Sequence, residues 1–163
     1  MQDLVLIKGS NLNEIRKEID KNIKLGKKVV FNCEASDDEI NRKMLESGKI
    51  SFIIGLENDF GNGKKDKLKQ RDSGFNQVLA KIAHDNDVAL GINFSELSKL
   101  NDKEFINYIA ILMQNIKLCN KYKVKMVLFN YFGKSKYDLM AFLLSLGMST
   151  SMAKYAVENR IEF

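Results

Sequence analysis

The side chains able to hold a metal or attack a substrate are few, and their types decide which chemistries are open. The chain has one histidine, His84, and two cysteines, Cys33 and Cys119. A metal-dependent phosphoesterase on a barrel scaffold needs several His and carboxylate ligands converging at strand ends, and a single histidine does not supply that set. His84 falls on the solvent side of an expected helix and reads as a surface residue. A magnesium site made of carboxylates alone stays open, because Mg²⁺ is held by one or two carboxylates with water. Its candidates are Glu34, Glu57 and Asp59, near the ends of strand-like runs. Neither cysteine has a histidine close in sequence to serve as base, and Cys119 lies on an apolar seam, so thiolate chemistry lacks support. Ser73, at an expected helix start, reads as a cap rather than as a nucleophile without a base. Gly61-Asn62-Gly63-Lys64-Lys65 looks like part of a phosphate-binding loop, but a second lysine replaces the hydroxyl residue and no helix follows.

Anion recognition is better supplied. Lys64, Lys65, Lys67, Lys69 and Arg71 fall within eight residues, offset only by Asp66. Such a run is either a solvated loop or a set of phosphate-backbone contacts. Arg71 can present a two-pronged donor to phosphate, or bridge to a carboxylate and tie the loop down. Asp72 or Ser73 can cap the helix that follows, with Gly74 leaving first-turn N–H groups open to an anion.

The elements that must position these groups follow from periodicity. Leu4–Ile7, Val29–Phe31, Phe52–Leu56, Val88–Phe94 and Val124–Tyr131 are apolar runs of strand length. Helices are expected between them: from about Asn13 to Gly26, over 37–46 with Ser36 or Asp37 as cap, after Ser73 to about His84, and over 102–121. Two more follow, over 137–146 and from Ser149 or Thr150 to about Arg160. In the third helix Phe75, Val78, Leu79, Ile82 and Ala83 form the expected buried stripe, with Gln77, Ala80 and His84 opposite. In the fourth, Phe105, Ile109, Leu112, Ile116 and Cys119 form the seam, while Gln114, Lys117 and Lys121 point away. Glu57 to Gln70 reads as a long exposed loop, and loops of that length are usually functional or disordered. Strands alternating with helices indicate an α/β fold: a parallel sheet or a partial, incomplete (β/α) TIM-like barrel.

With 163 residues and a net charge of +5, the chain is expected to form a single domain spanning 1–163, large enough to bury its own core. Two widely spaced cysteines exclude a disulfide scaffold and suggest reduced thiols. No stretch reads as a signal peptide or a membrane span, so a cytoplasmic protein with no membrane partner is expected.

Two blocks are more specific. RDSGFNQVLAKIA, followed by a strand, and MQNIKLCNKYKVKMVLFNYFGKSKYDLMAFLLSLGM together resemble the ribonuclease P protein component 3 family, in order, spacing and residue type, from about Lys64 to Met148. The resemblance implies a barrel related to polymerase-and-histidinol-phosphatase domains, shortened here. It implies a non-catalytic subunit of the ribonucleoprotein that removes 5′ leaders from precursor tRNA, where the RNA component and its Mg²⁺ ions do the chemistry and the protein holds no cofactor. The implied partners are the ribonuclease P RNA, a smaller protein subunit and, through the complex, precursor tRNA. Arg71, Ser73, Gly74 and Asn76 in the first block, and Gln114, Asn115, Lys117, Lys121 and Lys123 in the second, are the family-like residues. With Lys64, Lys65, Lys67 and Lys69 they form the expected RNA-binding set; no catalytic or metal-binding residue is expected. The alternative is a carboxylate-only, metal-dependent phosphoesterase of the same ancestral fold.

Overall fold

A computed structural model describes residues 3–35, 37–57 and 73–162. Strands β1 (Leu4–Lys8), β2 (Lys28–Asn32), β3 (Phe52–Ile54), β4 (Ala89–Asn93) and β5 (Met126–Phe129) form one sheet in the order β1-β2-β3-β4-β5. Every pair is parallel, with registers such as Val30 opposite Phe52 and Gly91 opposite Val127. A doubly wound sheet reverses its strand order to cover both faces. Sequential parallel order with right-handed crossovers puts the connecting helices on one face and curls the sheet into an arc, as in a TIM-like barrel.

The helices are α1 (Leu12–Lys24), α2 (Asp38–Ser47), α3 (Gln77–Asp85), α4 (Phe94–Leu97), α5 (Asp102–Tyr122), α6 (Lys136–Ser145) and α7 (Thr150–Glu158). Strand residues of one parity, among them Ile7, Val29, Phe31, Ile53, Leu90, Ile92, Met126 and Leu128, share the main core with buried residues of the helices. The other parity builds a smaller apolar layer on the opposite face from Val30, Ile54, Ala89, Val127 and Phe129. Gly91 makes that layer possible. Phe129 lies across it, and a Cβ there would meet the ring at 2.5 Å. The same ring stands edge-on to Phe52, centroids 5.5 Å apart. Beyond β5, Ile161 makes a parallel bridge to Phe129, its N–H donating to the Leu128 carbonyl at 2.7 Å.

Several sequence expectations change. The cap of α3 is Asn76, whose side chain accepts from the N–H groups of Val78 and Leu79, not Asp72 or Ser73. Because the helix starts later and packs between α2 and α5, its buried arc centres on Leu79, Ala80 and Ala83. Ala80 is fully buried and Val78 is 50% exposed, the reverse of the expected pattern. On α5, Leu112, Ile116 and Cys119 are buried as expected, but Tyr108, Ile111 and Asn115 join them and Phe105 is exposed. Phe94 begins the short α4 instead of ending a strand, since the Asn93 side chain caps the turn at once. Glu57, expected at the start of an exposed loop, is 2% exposed.

Candidate functional site

The chain leaves β3 through Gly55, at φ +86°, where a side chain would strike the Asn32 amide oxygen at 2.7 Å. That turn carries Leu56 and Glu57 into the interior. Asn115, fully buried on α5, donates from Nδ2 to Glu57 Oε1 at 3.2 Å. Its other atom, Oδ1, lies 3.1 Å from Ser73 Oγ. Ser73, 1% exposed, accepts from Gln114 Nε2 at 3.3 Å and from the Phe75 N–H at 3.3 Å. Its single hydroxyl proton serves either Asn115 Oδ1 or the Phe75 carbonyl 3.0 Å away. One amide on α5 thus clasps residues on both sides of the stretch 58–72.

Burial raises the Glu57 pKa from 4.5 to about 7, against the Asn115 hydrogen bond and the residue's own backbone N–H, which lower it. Burial, with the charges of Glu57 and Glu96 second, pushes the Tyr108 hydroxyl well above its ordinary range. The Cys119 thiol is driven up by burial and then by Glu57, so it stays protonated and inert. Cys33 and Cys119 are buried thiols not joined in a disulfide, and Cys33 Sγ donates to the Ile54 carbonyl at 2.9 Å.

In a TIM-like barrel the C-terminal ends of the strands carry the chemistry. Here β2 and β4 end in Asn32 and Asn93, and Asn130 directly follows β5. Asn32 Oδ1 accepts from the Glu34 N–H at 3.0 Å, and Asn93 Oδ1 accepts from Ser95 Oγ at 2.8 Å and Asn130 Nδ2 at 3.1 Å. Neutral amides fix turns but move no proton and carry no charge for a metal. Glu34 and Glu57, two of the carboxylate candidates, are engaged by Asn32 and Asn115 respectively. Among the described residues no three His, Cys, Asp or Glu side chains converge on a metal-sized site. Asp59 lies outside the described residues.

The expected RNA-binding residues divide by position. Ser73 and Asn115 are interior and spend their polar atoms on each other and on the clasp. Gly74, at φ +63°, makes the turn behind Ser73, and Gln114 reaches in from a half-buried position. Asn76, Lys117, Lys121 and Lys123 are exposed. Lys117 and Lys121 stand one turn apart on α5, and Lys123 closes that helix at φ +58°. Exposed His84 brings Nδ1 to 3.3 Å from the Lys123 carbonyl. Lys64, Lys65, Lys67, Lys69 and Arg71 lie outside the described residues. The buried role of Glu57 and the strand-end amides were not anticipated. The signal was the Phe-Asn pairs at 31–32 and 129–130 and the Asn93-Phe94 pair, each at the end of an apolar run.

No family model matches the sequence. Curated relatives do. A ribonuclease P protein component 3 from Methanococcus maripaludis is 28% identical over 144 residues, covering 85% of this chain and 57% of the relative. One from Methanocaldococcus jannaschii is 34% identical over 113 residues, 66% of this chain and 44% of the relative. One from Methanosarcina acetivorans is 43% identical over 99 residues, 61% and 37%. The chain is similar to ribonuclease P protein component 3. It spans a little over half the length of the first of these component 3 proteins. A chain in a cryo-EM structure of archaeal ribonuclease P with mature tRNA superposes at a TM-score of 0.78 with 25% identity, covering 96% of this chain and 64% of that one. Similarity to component 3 proteins thus covers up to 85% of the chain in sequence, and the match to a chain of archaeal ribonuclease P covers 96% of it in structure.

Proposed function

We propose that this chain is a protein subunit of a ribonuclease P ribonucleoprotein and supports RNA-catalysed removal of the 5′ leader from precursor tRNA. The observation that carries the reading is the superposition of 96% of the chain on a chain of archaeal ribonuclease P with mature tRNA. The strand-end chemistry supports it: Asn32, Asn93 and Asn130 make a scaffold of satisfied amides where a hydrolase of this architecture needs bases and ligands. In this reading the catalytic Mg²⁺ belongs to the RNA. The protein meets that RNA through the exposed cations Lys117, Lys121 and Lys123 on the α5 side and through the basic stretch Lys64 to Arg71 that precedes Ser73 in sequence. Ser73 and Asn115 act from inside, holding the residue that follows that stretch, while Asn76 and Gln114 border the surface. Among the described residues β1 pairs only with β2, and such an edge suits a smaller protein subunit as its cover.

Reconstitution tests the reading. Added to an archaeal ribonuclease P RNA with its other protein subunits, the chain is expected to join the complex and increase precursor-tRNA cleavage. Neither association nor a gain in cleavage would refute it. Turnover of a phosphodiester by the protein alone with Mg²⁺ or Mn²⁺, abolished in Glu57→Ala, would replace it with the hydrolase alternative.

A further inference from the structure

On the outer surface, α3 and α5 pack side by side, and two of their cations are gathered at one aromatic ring. Lys125 pairs with Asp87 at 2.6 Å, Lys49 with Asp20 at 2.6 Å and Lys99 with Glu96 at 3.0 Å. Lys81, Lys117 and Lys121 take part in no ion pair among the described residues. From Phe105 to Tyr122, α5 carries no acid, and α3 carries only Asp85. Between the two helices stands Tyr122, half-buried, its hydroxyl donating to Gln77 Oε1 at 3.4 Å. Lys81 Nζ lies 5.9 Å from the ring centroid and Lys121 Nζ lies 5.3 Å from it.

Two ammonium groups drawn to one aromatic ring, without a partner carboxylate, make a local excess of positive charge. The ring attracts each ammonium through its quadrupole and restricts two long side chains that would otherwise move freely. Restriction before binding reduces the entropy lost on binding. An anion bound beside the ring offsets the cost of holding two cations close to it. From these observations we infer that Lys81, Tyr122 and Lys121 form a preorganised clamp for a phosphate of an RNA strand. The inference rests on the RNA-binding reading above and deepens it by naming a contact point. An extended partner fits better than a small anion, because Lys117 and Gln114 continue the strip along α5 toward Ser73. A basic strip with an aromatic side chain is the pairing that single-stranded nucleic acid uses.

The test is fluorescence anisotropy of the full chain with a labelled single-stranded RNA over a range of salt concentrations. In the double variant Lys81→Gln with Lys121→Gln, the slope of log affinity against log salt should shrink by about 0.7, the value for one lost phosphate contact on a single strand. Lys17→Gln with Lys24→Gln on α1 removes the same net charge from exposed positions elsewhere, and should leave the slope unchanged. Tyr122→Leu keeps both cations and should keep most of the slope while weakening binding several-fold at any one salt concentration. Equal slope losses in the two double variants would overturn the clamp, since net charge would then explain binding. Wild-type binding with no slope change in the Lys81/Lys121 variant would also overturn it. Unchanged affinity in Tyr122→Leu would remove the ring from the site and with it the clamp. Failure of the wild-type chain to bind RNA would overturn the RNA-binding reading itself, and the clamp with it.

Discussion

Glu57 is a carboxyl group buried against an amide, with no ion pair among the described residues, and that choice has a measurable signature. The raised pKa belongs to the folded chain. The unfolded chain releases this proton near the ordinary value of 4.5 while the folded chain keeps it until about 7. The stability that Glu57 contributes is therefore fully present below the lower value and is lost as pH rises through the upper one. A shift of this size corresponds to something on the order of 3 kcal/mol between the two limits. Glu57→Gln removes the titration while keeping the shape. Urea unfolding at a series of pH values should give a variant similar to wild type in mild acid and more stable above neutrality, by up to that amount. Parallel pH profiles for the two proteins would show that Glu57 is not buried in the folded state.

At the scale of elements, α3 separates two roles that one residue can combine. Asn76 caps the helix through Oδ1, 2.9 Å from the Val78 N–H and 3.1 Å from the Leu79 N–H, while remaining exposed. Asn76→Asp keeps the cap and places a negative charge at the positive end of the helix, so stability should hold or rise slightly. If the RNA backbone passes this end, the same charge should weaken RNA affinity several-fold. Thermal unfolding and RNA titration of one variant check both outcomes. The elements themselves were legible in sequence to within a few residues, because parallel strands are continuous apolar runs and Gly48, with Ser149 and Asp37, marks helix ends plainly. Faces were less legible. Ala80 could not be told from a surface alanine, since burial there comes from both neighbouring helices, which no local period records. Ser73 read as a cap, and both Ser73 and Asn115 as RNA-binding residues, for the same reason: the two side chains that meet in the interior are 42 positions apart. The exposed lysines of α5 were placed correctly, but Lys81 and Tyr122 drew no notice, because their pairing exists only across two helices.

For the whole molecule, binding to RNA should divide between the described cations and the basic stretch before Ser73. Replacing Lys64, Lys65, Lys67 and Lys69 by Gln should reduce the salt dependence of RNA binding by a few tenths to about three units, according to how many of them meet phosphate. On the RNA-contact reading their replacement should leave the urea midpoint unchanged, because side chains that serve binding alone contribute little to stability. A fall in midpoint with no change in salt slope would make that stretch structural.

The Asn115 clasp also orders events in time. Its bond to Glu57 spans 58 positions and its bond to Ser73 spans 42, so neither forms by local collapse, and closing such loops comes late in folding. On a ribosome the first three strands can emerge and pair before α5 exists. Until Asn115 arrives, Glu57 and Ser73 have no common anchor, and because α5 precedes β5 that anchor can form before the last strand joins the sheet.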